Sequence, residues 1–242
     1  METRIDEIGE GIFRLSSFVP EIAAPAGFTF NQFLIMADEP LLYHCGPRGM
    51  FPSVSAALGR VIPVETLRWI SFGHVEADEC GAMNQWLAAA PDARVVYSPL
   101  GAEISVKDLA DRPPLILAEG DTLDLGGRRI RLIATPHVPH GWEAQALYEE
   151  VTNTLFCGDL LTHPGASEPV TEDDIVDAAM ASEDMFGATS IGPYTAPAIR
   201  KLAALAPSTL AIMHGASFRG DGGDALNRLA DRYEAKVRAL MA

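Results

Sequence analysis

The sequence predicts a mixed α/β or α+β fold, and three observations carry that expectation. Short apolar runs of β-type composition fall into two blocks, each followed by helical patterns, and elements ordered this way build layered domains. Hydrophobic residues make up 48% of the 242, enough for a large core and too many for a disordered chain. No internal repeat or linker-like change of composition divides the chain, so residues 1–242 read as one domain.

The elements follow in order. Apolar runs at 12–16, 29–36 and 40–44 open the chain as a β-meander, and a helix is expected near 54–61. The run Leu67-Arg68-Trp69-Ile70-Ser71-Phe72 reads as a strand entering the core, and a helix over 80–90 ends before Pro91. Strands are expected at 94–97, 115–117 and 130–134, with Gly126-Gly127 turning the chain between the last two. Residues 144–148 and 154–157 form a hairpin across Val151-Thr152-Asn153. The last third alternates helix and strand, with a strand at 210–213 and a helix over 223–240. In that helix Leu226, Leu229, Ala230, Tyr233, Val237 and Leu240 fall at helical spacing and are expected to pack.

Chemistry concentrates where strands end. His74, Glu76 and Asp78 follow the strand at 67–72 at alternate positions. In extended chain, alternate side chains point the same way, so an imidazole and two carboxylates converge. Such a trio suits a metal ion. The plainer alternative makes His74 and Glu76 solvated loop residues and Asp78 a helix N-cap. Three more strand ends weigh against it: Thr135-Pro136-His137-Val138-Pro139-His140-Gly141-Trp142, Cys157-Gly158-Asp159 and Met213-His214-Gly215. Each sets a His or Asp beside Gly or Pro, which let the backbone turn and aim a side chain over the sheet edge.

With His74-x-Glu76-x-Asp78-Glu79 followed by separate His, Asp and His loops, the chain resembles the metallo-β-lactamase superfamily. That superfamily's first motif is His-x-His-x-Asp-His. Glutamate at the second position resembles its diiron branch, the flavodiiron proteins and the stand-alone oxygen-binding diiron proteins. The likeness extends from Gly27-Phe28-Thr29-Phe30-Asn31 to Ala211-Ile212-Met213-His214-Gly215. It implies a four-layered αβ/βα sandwich with metals at one rim of two sheets. It also implies ligand roles: His74, Glu76 and His140 on one metal, Asp78 and His214 on a second, and Asp159 bridging the two. His140 is preferred to His137 because the superfamily's ligand is the later histidine, before a glycine.

The departure lies at Glu79, where relatives carry histidine. Glu79 can bind the second metal, take a proton from bound water, or leave the position open. Its place in the first turn of a helix, where negative charge is favoured, makes contact behind the second metal the expected outcome. His163, soon after Asp159, either overhangs the metals as a catalytic group or is a plain loop histidine. His44 reads as structural, while Trp142 and Tyr194 are options for a pocket wall.

Three carboxylates with three imidazoles favour iron or manganese over a histidine-dominated zinc site, although zinc can compete in a recombinant preparation. Three carboxylates and one hydroxide cancel the charge of two ferrous ions. The resemblance therefore implies a diiron protein that binds, reduces or senses oxygen or nitric oxide. The alternative is a dinuclear hydrolase of an ester, thioester or lactam. No flavin-cradling loop is visible in this chain, so electrons are expected from a separate redox protein. With 33 carboxylates against 18 basic side chains the net charge is −15, which disfavours nucleic acid and anionic membranes. A homodimer is compatible with the sequence. The absence of a signal-like amino terminus and three cysteines without paired spacing point to a reducing, cytoplasmic setting.

Overall fold

The structure, a computed structural model, describes residues 2–166 and 168–241. Alternation along the strands decides the architecture. In β3 (Phe28–Ile35), Leu34 packs to one side while Phe33 and Ile35 pack to the other. The same switch separates Leu42 from Leu41 and Tyr43 in β4 (Leu41–Tyr43), and Ile70 from Trp69 in β5 (Trp69–Ser71). Because side chains alternate across a strand, a strand that is apolar throughout must be covered on both faces.

β1 (Thr3–Gly9), β2 (Ile12–Val19), β3, β4, β5, β6 (Arg94–Tyr97) and β7 (Leu115–Ile116) form one sheet in that order. Its first four strands pair antiparallel, and the pairs from β4 to β7 are parallel. The second sheet draws on β8 (Leu123–Asp124), β9 (Arg129–Ala134), β10 (Gln145–Glu149), β11 (Thr154–Phe156), β12 (Val170–Thr171), β13 (Thr209–Ala211) and β14 (Ser217–Arg219). Its order is β12-β14-β13-β11-β10-β9-β8, with β11 and β13 parallel at the centre. Between the sheets lies a shared core in which Phe33, Tyr43 and Val96 of the first meet Leu132, Leu147 and Phe156 of the second.

Helices cover both outer faces. α1 (Phe51–Leu58) and α3 (Met83–Ala89) lay Val54, Leu58, Trp86 and Leu87 on the first sheet. α6 (Val176–Phe186), α7 (Thr195–Ala203) and α8 (Gly222–Met241) cover the second through Met180, Ile199, Leu202, Leu226 and Leu229. The result is the four-layered metallo-β-lactamase sandwich. α2 (Ala77–Cys80) is a single turn at the rim. α4 (Pro99–Gly101), a π-helical stretch Ala102–Val106 and α5 (Lys107–Leu109) bridge β6 to β7. Among the described residues, no helix is long and apolar enough to cross a membrane.

Some expectations change. The helix expected over 80–90 is two, because Ala82 N–H donates 2.9 Å to Gly46 C=O and so leaves the helical ladder between α2 and α3. β1, β8, β12 and β14 were not foreseen; β8, β12 and β14 have only two or three residues, too few to show a period. In α8 burial ends at Tyr233, and Leu240 is exposed, so the terminal turns stand clear of the core.

Leu147 is fully buried in the core that both sheets share. Leu147→Ala is expected to cost about 2–5 kcal/mol in one cooperative urea transition. A loss below about 1 kcal/mol, or separate transitions for the two halves, would contradict a common core.

Candidate metal centre

Four loops from the two sheets meet at one rim. After β5 the chain turns at Phe72-Gly73-His74, and Glu76 N–H donates to His74 C=O at 3.1 Å. Glu76 then stands at the N-cap of α2 without a side-chain capping bond, and Asp78 falls in its first turn. His74 and Glu76 therefore meet through a turn and a helix start, not through the continuous extended chain that their spacing predicts, and Asp78 joins a different group of donors. His140 follows β9, Asp159 follows β11, and His214 follows β13.

The donor atoms form two groups that share Asp159. In one, His74, Glu76, His140 and Asp159 each offer an atom within 4.8 Å of the others; in the second, Asp78, Asp159 and His214 do so. Glu76 Oε2 lies 2.7 Å from His74 Nε2 and 3.0 Å from His140 Nε2. Asp159 Oδ2 faces this group, 3.5 Å from His140 Nε2 and 3.8 Å from His74 Nε2. Asp159 Oδ1 faces the other, 3.2 Å from His214 Nε2, which is also 3.2 Å from Asp78 Oδ2.

Each imidazole is aimed by its far nitrogen. His140 Nδ1–H donates to Ala188 C=O at 3.0 Å and His214 Nδ1–H to Thr29 C=O at 2.7 Å. His74 Nδ1 lies 3.2 Å from Glu79 Oε1. Such contacts fix ring and tautomer and leave Nε2 free for an ion. Phe28 stacks on the His214 ring at 4.3 Å. Beneath it, Asn31 donates to the carbonyls of Ile212 and Gly215, and buried Arg14 also donates to Gly215 C=O.

Glu79 corrects the expectation of a group behind the second metal. Its side chain has no solvent exposure, and Oε2 accepts the N–H groups of Gly73 at 2.5 Å and His74 at 2.8 Å. It holds the first group's loop and imidazole. A Cβ at Gly73 would lie 2.9 Å from that carboxylate, so only glycine lets the backbone come this close. His163 needs correction too. Its Nδ1–H donates to Leu161 C=O and its Nε2 accepts Ala216 N–H, both at 2.9 Å, so neither nitrogen is left for the metals.

His137 is exposed, with its ring 5.2 Å from that of Tyr194, and joins neither group. Trp142 lines a different cavity, beside Leu100 and Pro136. His44 is buried, with Nδ1 3.2 Å from Asn31 C=O. Cys45 and Cys157 are buried free thiols and Cys80 is half-buried; none joins a donor group. Sequence reading missed the carbonyls of Thr29 and Ala188, which any residue type can supply. It also missed Glu143, whose Oε1 accepts Val75 N–H at 3.0 Å.

The donors suit cations. Asp78 Oδ1 and Asp159 Oδ1 are buried without a hydrogen-bond partner, which costs free energy unless something positive takes their lone pairs. Burial pushes the His74 imidazolium down, yet Glu79, Glu76 and Asp159 outweigh it and hold the pKa up at about 12. Burial opposes the charged form of His214 as well, but Asp159 and Asp78 lift it to about 10. Asp159 stays near 2 because His214, His74 and His140 overcome its burial. Protons fill the role that metal ions would take.

A family model described as ODP family beta lactamase matches residues 28–215. Among curated proteins, the rubredoxin-oxygen oxidoreductase of Megalodesulfovibrio gigas is 24% identical over 208 residues, covering 81% of this chain and 51% of that protein. The anaerobic nitric oxide reductase flavorubredoxin of Pectobacterium atrosepticum is 22% identical, covering 86% and 43%. The chain thus spans about half the length of these relatives. A metal-soaked flavodiiron core from Synechocystis sp. superposes with a TM-score of 0.84 at 24% identity, over 98% of this chain and 62% of that one, a likeness of fold.

Two measurements test the centre. If Asp159 serves both groups, Asp159→Ala lowers metal content at both positions together, whereas His214→Ala spares the first; wild-type loading of the Asp159 variant would remove the bridge. The second concerns pH. His74 is lifted to about 12 and His214 to about 10, so in the metal-free folded protein both hold protons at neutral pH that an ion must displace, and Glu76 raises His140 as well. Zinc affinity is expected to rise from pH 6 to pH 9 with measurable proton release. A pH-independent affinity would contradict this.

Proposed function

Because the chain belongs to the ODP family of the beta-lactamase fold, we propose that it is a non-haem diiron protein that binds oxygen or nitric oxide. The observation that carries this reading is the carboxylate at Glu76, seated between His74 and His140 and giving the cluster three carboxylates with three imidazoles. Oxygen-rich donor sets favour iron over zinc, and three carboxylates with one hydroxide cancel the charge of two ferrous ions. His74, Glu76 and His140 would hold one ion, Asp78 and His214 would hold the second, and Asp159, which belongs to both donor groups, would serve each.

Iron, when bound, would supply one-electron redox chemistry toward a diatomic ligand. The protein's own groups do the rest. Glu79, Ala188 C=O and Thr29 C=O keep three imidazole rings aimed inward. Phe28, Leu161 and Phe186 line the adjoining cavity and limit water on that side. Three free cysteines fit a reducing, cytoplasmic compartment. Turnover would draw electrons from a separate redox protein, and the acidic surface favours a donor with a basic face.

The test uses the chain loaded with iron anaerobically and reduced. Exposure to oxygen or nitric oxide should change its absorption spectrum, while the zinc form cleaves lactam, thioester and phosphodiester substrates poorly. Efficient hydrolysis by zinc protein with a silent iron form would establish the hydrolase reading instead.

Glu79 gives a second expectation. Glu79→Gln removes the negative charge beside His74 and should weaken the first ion by about 10–100-fold while the second stays bound. Selective loss of the second ion would return Glu79 to the role its sequence position predicts.

A further inference from the structure

The cavity that opens onto the metal donors is larger than a diatomic ligand needs. Its volume is about 260 Å³, and Glu76, Asp78, Asp159 and His214 line one end. Two ions, a bridging solvent and a diatomic molecule fill roughly 120 Å³ if each takes about the volume of a water. What remains approaches the roughly 150 Å³ of an apolar protein cavity that accepts benzene. The wall there is mostly apolar, formed by Phe28, Leu161, Ala179 and Phe186 beside Thr162 and Ser182. The mouth is edged by Ile22 and Phe186, exposed by 37% and 44%.

Away from the metals the same cavity meets one carboxylate, Glu183 of α6, which is only 8% exposed. Its Oε2 accepts Thr189 N–H at 3.1 Å and faces the Tyr233 hydroxyl at 3.3 Å. That hydroxyl is also 2.8 Å from Thr189 Oγ1. Oε1 has no hydrogen bond among the described residues. A carboxylate placed this way, pinned by one oxygen at the edge of an apolar pocket, is a single directional acceptor of the kind that orients small ligands. None of Glu183, Thr189 and Tyr233 belongs to either donor group.

We propose that this cavity binds a small hydroxyl-bearing organic molecule, its hydroxyl donated to Glu183 and an apolar body of about one ring lying on Phe28, Ala179 and Phe186. The site does not depend on which metal the cluster holds. An anionic ligand is disfavoured there, because its charge would face Glu183 across a partly dry space.

The test is a nuclear magnetic resonance titration of the full chain purified with zinc, using benzyl alcohol, toluene and benzoate as probes. Benzyl alcohol should shift the amides of Ala179, Phe186 and Thr189 saturably. Toluene, lacking the donor, should bind about tenfold more weakly, and benzoate more weakly still. Glu183→Ala should bring benzyl alcohol down to the level of toluene. Ala188→Leu, at an exposed position lining the cavity, should weaken both without touching the acceptor. The proposal fails if no saturable shift appears at these amides, or if benzoate binds best. It fails equally if Glu183→Ala leaves the alcohol's affinity unchanged in a folded variant, or if Ala188→Leu leaves both affinities intact. Gas binding by the iron form is scored separately, so loss of either reading leaves the other testable.

Discussion

A buried carboxylate under the first loop organises the rest of the metal rim. Glu79 leaves solvent entirely, a step that costs several kcal/mol unless hydrogen bonds and opposite charge offset it. Here two backbone N–H groups meet Oε2, while the His74 ring and, at 3.5 Å, the His44 ring face Oε1. Burial pushes its carboxyl up, yet His44 and His74 prevail and keep it below the usual carboxylate range. The same contacts fix where the loop turns and where His74 Nε2 points. Gly73 belongs to this arrangement, since any side chain there would collide with the carboxylate.

Above that anchor, charge governs the site. Glu76, Asp78 and Asp159 lie close enough to share three imidazoles, and Glu79 adds a fourth anion behind them. Like charges packed this densely destabilise a fold unless cations are held among them. Raised imidazole pKa values record that demand. The chain meets it by bringing each carboxylate from a rigid strand end or helix start, so that its position is fixed before an ion arrives. The sandwich makes this affordable: its two sheets share a dry core away from the rim, and both outer faces are sealed by helices.

The second group leans on a different support. His214 is stacked on Phe28 and tied to Thr29, both of β3 in the first sheet, although β13, which leads into it, lies in the second. Arg14 and Asn31 reach from the first sheet to the carbonyl of Gly215. His163 braces the same loop from below, accepting Ala216 N–H while its own N–H donates to His214 C=O at 3.0 Å. The two sheets are thus tied at the rim by polar contacts as well as by the core between them.

The sequence by itself determined the layered α/β class, because alternating apolar runs and helical spacing leave few ways to bury so much surface. Residue types also marked imidazoles and carboxylates at four strand ends, while the choice of His140 over His137 among them came from the resemblance to a known superfamily. Tertiary structure alone decided which group Glu79 serves. Its partners are backbone N–H groups, which every residue but proline carries and which no sequence pattern marks. The same reason hid the carbonyls that orient His140 and His214, and it turned His163 from a group over the metals into a brace for a loop. The break between α2 and α3 was likewise set by a distant carbonyl, that of Gly46. Side-chain chemistry is written along the chain, whereas the direction in which each group faces depends on backbone brought near only by folding.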